Sequence, residues 1–153
     1  MMKIKQVKAI EILDSRGKPT IKAFLEIAGH PVIYSASVPS GASTGENEAI
    51  ELRDGDRKRY GGNGCLKAIK QINNELNQQI SGREFESQKQ FDELLCALDG
   101  TKNKSKLGGN AMLALSVVFG KGFAGSKGFP LFSHFATIVG KIPTLPRMTI
   151  NLF

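Results

Sequence analysis

One segment of the sequence combines conformationally free residues with hydroxyl groups. Three hydroxyl side chains and two glycines follow Pro39 in the run Ser40, Gly41, Ala42, Ser43, Thr44 and Gly45. Glycine permits left-handed backbone angles and close approach to a ligand, and hydroxyl and carbonyl oxygens are ligands that hard cations accept. The composition therefore predicts a loop that binds a phosphate or a hard cation.

The sequence of this loop rules out a phosphate site of the Walker type, and it is also compatible with a helix cap. A Walker loop requires Lys and then Ser or Thr after its last glycine, whereas Glu46 stands there and would repel a phosphate. Ser43 and Glu46 also have the spacing of a capping box, which would start a helical stretch through Leu52. The two interpretations are compatible, because one hydroxyl can cap a helix while another faces a ligand.

Other chemically capable residues are weaker candidates. The segment Asp14–Arg16 places an acid beside a serine hydroxyl, but a turn stabilised by the Asp and Ser side chains is the better interpretation. His30 and His134 do not make a metal site without further ligands, and we expect both to be structural. Cys65 and Cys96 lack the paired spacing of zinc ligands, and we expect both to be reduced, half-buried core residues.

The elements that must position these residues change along the chain from strands to helices. Three short runs predict strands. Ile4 to Leu13 and Pro19 to Ile27 mix β-branched and polar residues, and Val32 to Val38 is a short apolar run. Apolar residues at spacings of three and four then predict four helices, over Leu66 to Ile80, Ser87 to Leu98, Asn110 to Phe123, and Leu131 to Val139. Strands followed by helices predict an α+β fold, a three-stranded antiparallel meander followed by about four helices.

Length and charge limit the number of domains and the kinds of partner. A chain of 153 residues, 41% hydrophobic, can bury one core. We expect residues 1–142 to form this domain and residues 143–153 to be a truncated linker. The net charge of +7 is spread without a long basic run or an aromatic stacking platform, so we expect no specific nucleic-acid binding.

The apolar segments also bear on location. The longest of them, Ala111 to Phe119, is too short to span a bilayer. The residues after Met1 lack the apolar stretch of a secretory signal. These two features predict a cytoplasmic protein with no membrane association.

Five stretches of the sequence are similar, in order and spacing, to one enzyme family. They are Asp14 to Gly17 with Pro19 and Thr20, Val38 to Glu46, Glu48 to Asp56, Lys58 to Tyr60, and Asp99 to Gly108 with Asn110. Together they resemble the amino-terminal domain of enolase, the phosphopyruvate hydratase of glycolysis. The resemblance implies a lyase reaction, removal of water from 2-phosphoglycerate to give phosphoenolpyruvate, with two Mg²⁺ ions. It also implies that the hydroxyl loop closes as a lid, and that Ser43 completes the second magnesium shell through its hydroxyl and carbonyl oxygens.

The resemblance further implies that the lysine base and the glutamate acid belong to a barrel domain. A barrel needs about 250 residues, so we predict that this chain is inactive alone and expect 2-phosphoglycerate to bind only if a barrel chain is supplied in trans. Family dimers use an arginine and a glutamate where this sequence has Ile10 and Lys22. The loss of one charge and the reversal of the other disfavour a family-type dimer.

Three functions from different classes stay open on the sequence. The first is an enolase amino-terminal domain that keeps the fold without the reaction. The second is the lid subunit of a split enolase, and the third is a non-enzymatic binding module that uses its helical face and positive charge. Binding or aggregation would involve an exposed apolar patch near the fourth helix, formed by Phe129, Leu131, Phe132 and Phe135.

Overall fold

A computed structural model describes residues 1–39, 45 and 48–145. The chain begins with the predicted antiparallel meander, which consists of β1 (Met2–Leu13), β2 (Pro19–Ile27) and β3 (Ile33–Ser37). A two-residue strand, β4 (Glu84–Phe85), pairs with the start of β1, so the sheet order is β3-β2-β1-β4. The sequence analysis missed this fourth strand because two residues are too few to show a period-2 pattern.

The turn between β1 and β2 confirms the structural interpretation of Asp14–Arg16. The Asp14 Oδ1 atom accepts hydrogen bonds from the backbone N–H groups of Arg16 and Lys18, each at 2.8 Å. Gly17 completes the turn at φ +72°. A carboxylate that accepts hydrogen bonds from backbone N–H groups two and four residues later stabilises the reversal of the chain.

The predicted helices are present. The first is a continuous helical stretch made of α1 (Leu66–Gln71), a π-helical turn (Ile72–Leu76) and α2 (Asn77–Ile80). It is followed by α3 (Gln88–Asp99), α4 (Gly109–Ser126) and α5 (Leu131–Ile138). Ser87 caps α3 by accepting from Gln90 N, and Gly100 ends it in the left-handed conformation.

Two asparagines of the first helical stretch cover the edge of β1 beyond β4. Asn77 Oδ1 accepts from Val7 N at 2.9 Å, and Asn73 Oδ1 accepts from Ala9 N at 2.7 Å. Asn73 Nδ2 also donates to Ala9 O at 3.0 Å. These amides replace the backbone partners of a neighbouring strand, which protects an edge that would otherwise template association.

Helix α4 is the central helix of the core, as a sequence that is apolar on nearly every side predicts. It packs on the sheet through two glycines, because a Cβ on Gly122 would lie 2.4 Å from Leu25 Cδ2 and one on Gly125 2.4 Å from Tyr34 Cε1. On its other side, the Phe119 ring stacks on Phe91 with centroids 4.2 Å apart. The core therefore lies between the inner face of the sheet and the helices, with α4 in contact with both.

Two expectations are wrong. The helical stretch predicted through Leu52 does not form in the described residues 48–54, whose backbone is bonded to the loop before α4 instead. Cys65 is fully buried and Cys96 is exposed, so neither thiol is half-buried. Cys96 is exposed because it lies off the buried face of α3 that Phe91 and Leu95 define.

Candidate functional site

The predicted hydroxyl loop falls largely on residues that the structure does not describe. Ser40, Gly41, Ala42, Ser43 and Thr44 lie outside the described residues, as do Glu46 and Asn47. The assignment of Ser43 as a magnesium ligand therefore stays a prediction. Gly45 is described, is exposed, and accepts a hydrogen bond from Glu48 N at 3.2 Å.

The amino-terminal end of the loop is anchored on the sheet. Val38 is buried, and its N–H donates to Ile21 O at 3.0 Å, which continues the ladder between β2 and β3. The hydroxyl of Thr20, also buried, donates to Val38 O. The chain therefore enters the loop from a fixed position.

The carboxyl-terminal end is anchored on the loop that precedes α4. Ile50 N donates to Asn103 O at 2.8 Å, and Gly109 N donates to Ile50 O at 2.7 Å. Two residues later, Leu52 N donates to Asn110 Oδ1 at 3.0 Å, and Asn110 Nδ2 donates to Leu52 O at 3.1 Å. Both peptide groups of Leu52 thus bond to one buried amide side chain.

Two glycines allow this close approach. A Cβ on Gly108 would lie 2.6 Å from Leu52 Cβ, and one on Gly109 would lie 2.9 Å from Ala49 Cβ. Gly108 also has φ +88°, a conformation that other residues rarely adopt. The sequence analysis used Gly108 and Asn110 only as part of the resemblance, because no local pattern shows that they contact residues more than fifty positions earlier.

The loop before α4 is shaped by the buried Asp99. Its Oδ2 atom accepts from Leu107 N at 2.8 Å, and its Oδ1 atom accepts from both the N–H and the hydroxyl of Thr101. Burial raises the pKa of Asp99, but these hydrogen bonds outweigh it and hold the pKa below its ordinary value. The ionised carboxylate thus fixes the loop that in turn holds Ile50 and Leu52.

A network of charged side chains continues the anchoring after Leu52. Arg53 donates from Nη1 to Pro19 O at 2.7 Å and to Asn63 O at 2.8 Å, and it pairs with Glu51. Arg59 forms an ion pair with Glu11, and the Arg59 hydrogen bond holds the pKa of Glu11 below its usual range. These charges therefore attach the 51–63 segment to β1 and β2.

The same network caps the first helix. Asp54 Oδ2 accepts from Leu66 N at 3.1 Å, and Asp54 Oδ1 accepts from Lys67 N at 2.8 Å. These are backbone donors of the first turn of α1, which have no partner within the helix. The cap comes from a residue twelve positions before the helix, so no helix-start pattern in the sequence shows it.

A resident magnesium ion would need several oxygen ligands held close together. No group of three or more His, Cys, Asp and Glu side chains in the described ranges could hold a metal ion. His30 and His134 are not part of such a group. The described part of the chain therefore does not by itself fit a resident magnesium ion.

The predicted apolar patch is present on and around α5. Phe129, Phe132 and Phe135 are exposed, Phe132 by 64% of its surface. Leu131 is the exception, since it is half-buried against Gly120 of α4. The exposed apolar side chains continue at Ile138, the last residue of α5, and beyond the helix at Val139, Ile142 and Leu145.

Comparison with known proteins identifies the family. Residues 4–135 match the family described as enolase, N-terminal domain. The chain belongs to this enolase family. The resemblance seen in the sequence and the α+β fold with its meander and four helices are thereby confirmed.

Two curated relatives show how much of an enolase the chain spans. It is 48% identical to enolase 1 of Chlorobaculum tepidum over 149 aligned residues. This alignment covers 97% of this chain and 35% of that protein. It is 46% identical to enolase 1 of Entamoeba histolytica over 152 aligned residues. This alignment covers 99% of this chain and 34% of that protein. The chain spans about a third of the length of these relatives.

Within the described ranges, no helix combines the length and the apolar character needed to cross a bilayer.

Proposed function

We propose that this chain is the cap of an enolase-type hydratase acting on 2-phosphoglycerate, and that the 153-residue chain is inactive by itself. The observation that carries the proposal is the family match over residues 4–135 by a chain that spans about a third of its relatives. Proton abstraction beside a carboxylate needs a positioned base and metal ions that hold the charged intermediate. The resemblance assigns neither the base nor the acid to a residue of this chain.

Within this proposal, the Ser40–Gly45 loop is the lid. The anchoring of Val38 on the sheet and of Ile50 and Leu52 beside α4 supports it, because a loop fixed at both ends returns to one position. Ser43 would supply hydroxyl and carbonyl oxygens to Mg²⁺, an ion that favours oxygen ligands. Closure would exclude water from a charged reaction centre. The reaction would take place in the cytoplasm, as a step of glycolysis.

A fusion enzyme tests the proposal. The full chain replaces the matching 149 residues of the Chlorobaculum tepidum relative, and formation of phosphoenolpyruvate is followed with Mg²⁺. We expect turnover by the fusion, none by the chain alone, and a loss of at least tenfold for Ser43→Ala. Ser37→Ala, an exposed serine of β3, is the matched control and should leave turnover within twofold. An inactive fusion, or turnover by the pure chain, contradicts the proposal.

A second candidate is a lid subunit that docks on a separate barrel chain. The exposed Phe129, Phe132 and Phe135 favour it, because contiguous exposed apolar surface marks interaction sites. Mixing the chain with a separately produced barrel segment of the same relative should restore turnover. Phe132→Ser should then raise the concentration of chain needed for half-maximal turnover. Binding of the barrel segment without turnover would instead support the non-enzymatic binding module.

A further inference from the structure

The segment Glu48–Leu52 is held to the domain mainly through its backbone. Glu48, Ala49 and Ile50 are exposed, Ile50 by 46% of its surface, and the half-buried Leu52 is the side chain of the segment that packs against the core. Four hydrogen bonds connect Ile50 and Leu52 to the loop before α4 and to its first residues. Segments with little buried apolar surface and exposed backbone bonds open at lower free energy than the core.

Asn110 is the centre of these contacts. It is 4% exposed, and its Oδ1 atom accepts from Ala111 N at 3.1 Å as well as from Leu52 N. Its Nδ2 atom donates to Leu52 O, so both polar atoms of the amide are used. A smaller apolar side chain at this position would leave both peptide groups of Leu52 without their partners.

The opening of this segment would end at Arg53. The Arg53 guanidinium bonds to two backbone carbonyls, Pro19 O and Asn63 O, and does so independently of Asn110. The core behind it is built on other residues, among them Leu95 and Leu115, which are both fully buried. The segment can therefore separate from the loop before α4 while the sheet and helices stay folded.

We propose that Glu48–Leu52 is a strap that opens as a unit without unfolding of the core, and that Asn110 is the positioning residue that sets its opening equilibrium. The strap begins after the two residues that follow the predicted lid, which ends at Gly45, so it fixes the carboxyl-terminal side of that loop. This last role rests on the proposed function. The opening of the strap does not.

Native-state hydrogen exchange of the full chain tests the strap. The amide protons of Ile50 and Leu52, which lie in the strap, and of Gly109, which donates to Ile50 O, report on opening of the strap. The amide proton of Leu115 reports on the core. After correction for intrinsic rates, we expect the strap amides to exchange at least tenfold faster than Leu115 and with little dependence on urea. Leu95→Ala should speed exchange at Leu115 at least tenfold and leave the strap amides within twofold. If Leu95→Ala does not fold, Ile72→Val provides the same comparison with a smaller change.

Substitution of Asn110 tests its role. Asn110→Ala should speed exchange at Ile50 and Leu52 at least tenfold, and Asn110→Asp, the milder variant, at least threefold. Asn103→Ala is the matched control, because Asn103 holds the strap through its backbone carbonyl, which the substitution keeps. The exchange rates of the strap amides in this variant should stay within twofold of those in the parent chain.

Two results would overturn the inference. One is that strap amides follow Leu115 in every variant, and the other is that Asn103→Ala acts as strongly as Asn110→Ala. The fusion enzyme is not needed for these measurements, so the strap and the proposed function can fail separately.

Discussion

Ile10 on β1 lies directly opposite Lys22 on β2 in the antiparallel register. Ile10 is 49% exposed, and the Lys22 ammonium lies 5.4 Å from the centroid of the Phe24 ring on the same strand. The two positions at which the resemblance implies opposite charges in family dimers are therefore neighbours on one sheet surface. Here that surface has an apolar residue beside a cation.

This pairing predicts a monomer. The chain should sediment as a monomer at micromolar concentration, because Lys22 would meet a like charge on a family-type partner. A concentration-dependent dimer with the family's two-fold arrangement would contradict this.

Ile10→Arg with Lys22→Glu should raise the free energy of unfolding by ~0.2–1 kcal/mol through a cross-strand pair. Ile10→Arg alone should lower it, because like charges then lie opposite each other.

The two cysteines should differ sharply in reactivity. Burial raises the pKa of the Cys65 thiol to about 11, although the positive charge of Arg53 opposes this shift, while Cys96 is exposed. An aromatic disulfide reagent at pH 8 should label one thiol rapidly, and Cys96→Ser should abolish this fast phase. Denaturation should release the second thiol. Two fast thiols in the native chain would show that Cys65 is accessible.

His134 should make stability depend on pH just below neutrality. Its Nε2 atom is buried without a hydrogen-bond partner in the described chain, and burial, aided by the charge of Lys127, lowers its pKa below 6.5. The unfolded chain therefore takes up the proton first as the pH falls. The stability contribution is complete above pH 6.5 and decreases between pH 6.5 and the lower folded pKa.

Urea unfolding at pH 7.5 and 5.5 measures this effect. His134→Phe should reduce the loss of unfolding free energy between the two pH values, while Phe135→Leu, a neighbour that does not titrate, should keep the parent's loss. The window lies above the range of Glu11, whose carboxylate contribution is lost only as the pH falls below 4.5. Equal pH dependence of parent and His134→Phe would rule out the histidine as the cause.

Asp54 should be important for stability because it caps α1 from a distance. Asp54→Ala removes the acceptors of Leu66 N and Lys67 N, and N-cap losses typically cost ~1 kcal/mol and up to about 2. Asp56→Ala is the matched control, since Asp56 caps only the exposed turn at Lys58 and should cost less than about 0.5 kcal/mol. Equal effects in urea unfolding would show that the cap contributes nothing of its own.

The sequence by itself determined the elements and the family. Short runs of β-branched, polar and apolar residues placed three strands, and apolar spacings of three and four placed the helices, because these signals act over a few neighbouring residues. The hydroxyl loop was also a local signal: its residue types indicated a phosphate or hard-cation ligand, and the resemblance specified Mg²⁺ and the role of Ser43. The helical stretch predicted through Leu52 is wrong over residues 48–52, because the backbone groups of Ile50 and Leu52 bond to Asn103, Gly109 and the Asn110 amide instead.

Only the tertiary structure decided how the chain around the loop is held. The Asn110 amide on Leu52, the Asp54 cap on α1 and the asparagines along β1 all join residues from twelve to about seventy positions apart. No repeating pattern encodes such contacts, because each depends on one polar side chain reaching an unpaired backbone group that folding brings near. The sequence determines which elements form, and the folded chain decides which buried polar groups become partners.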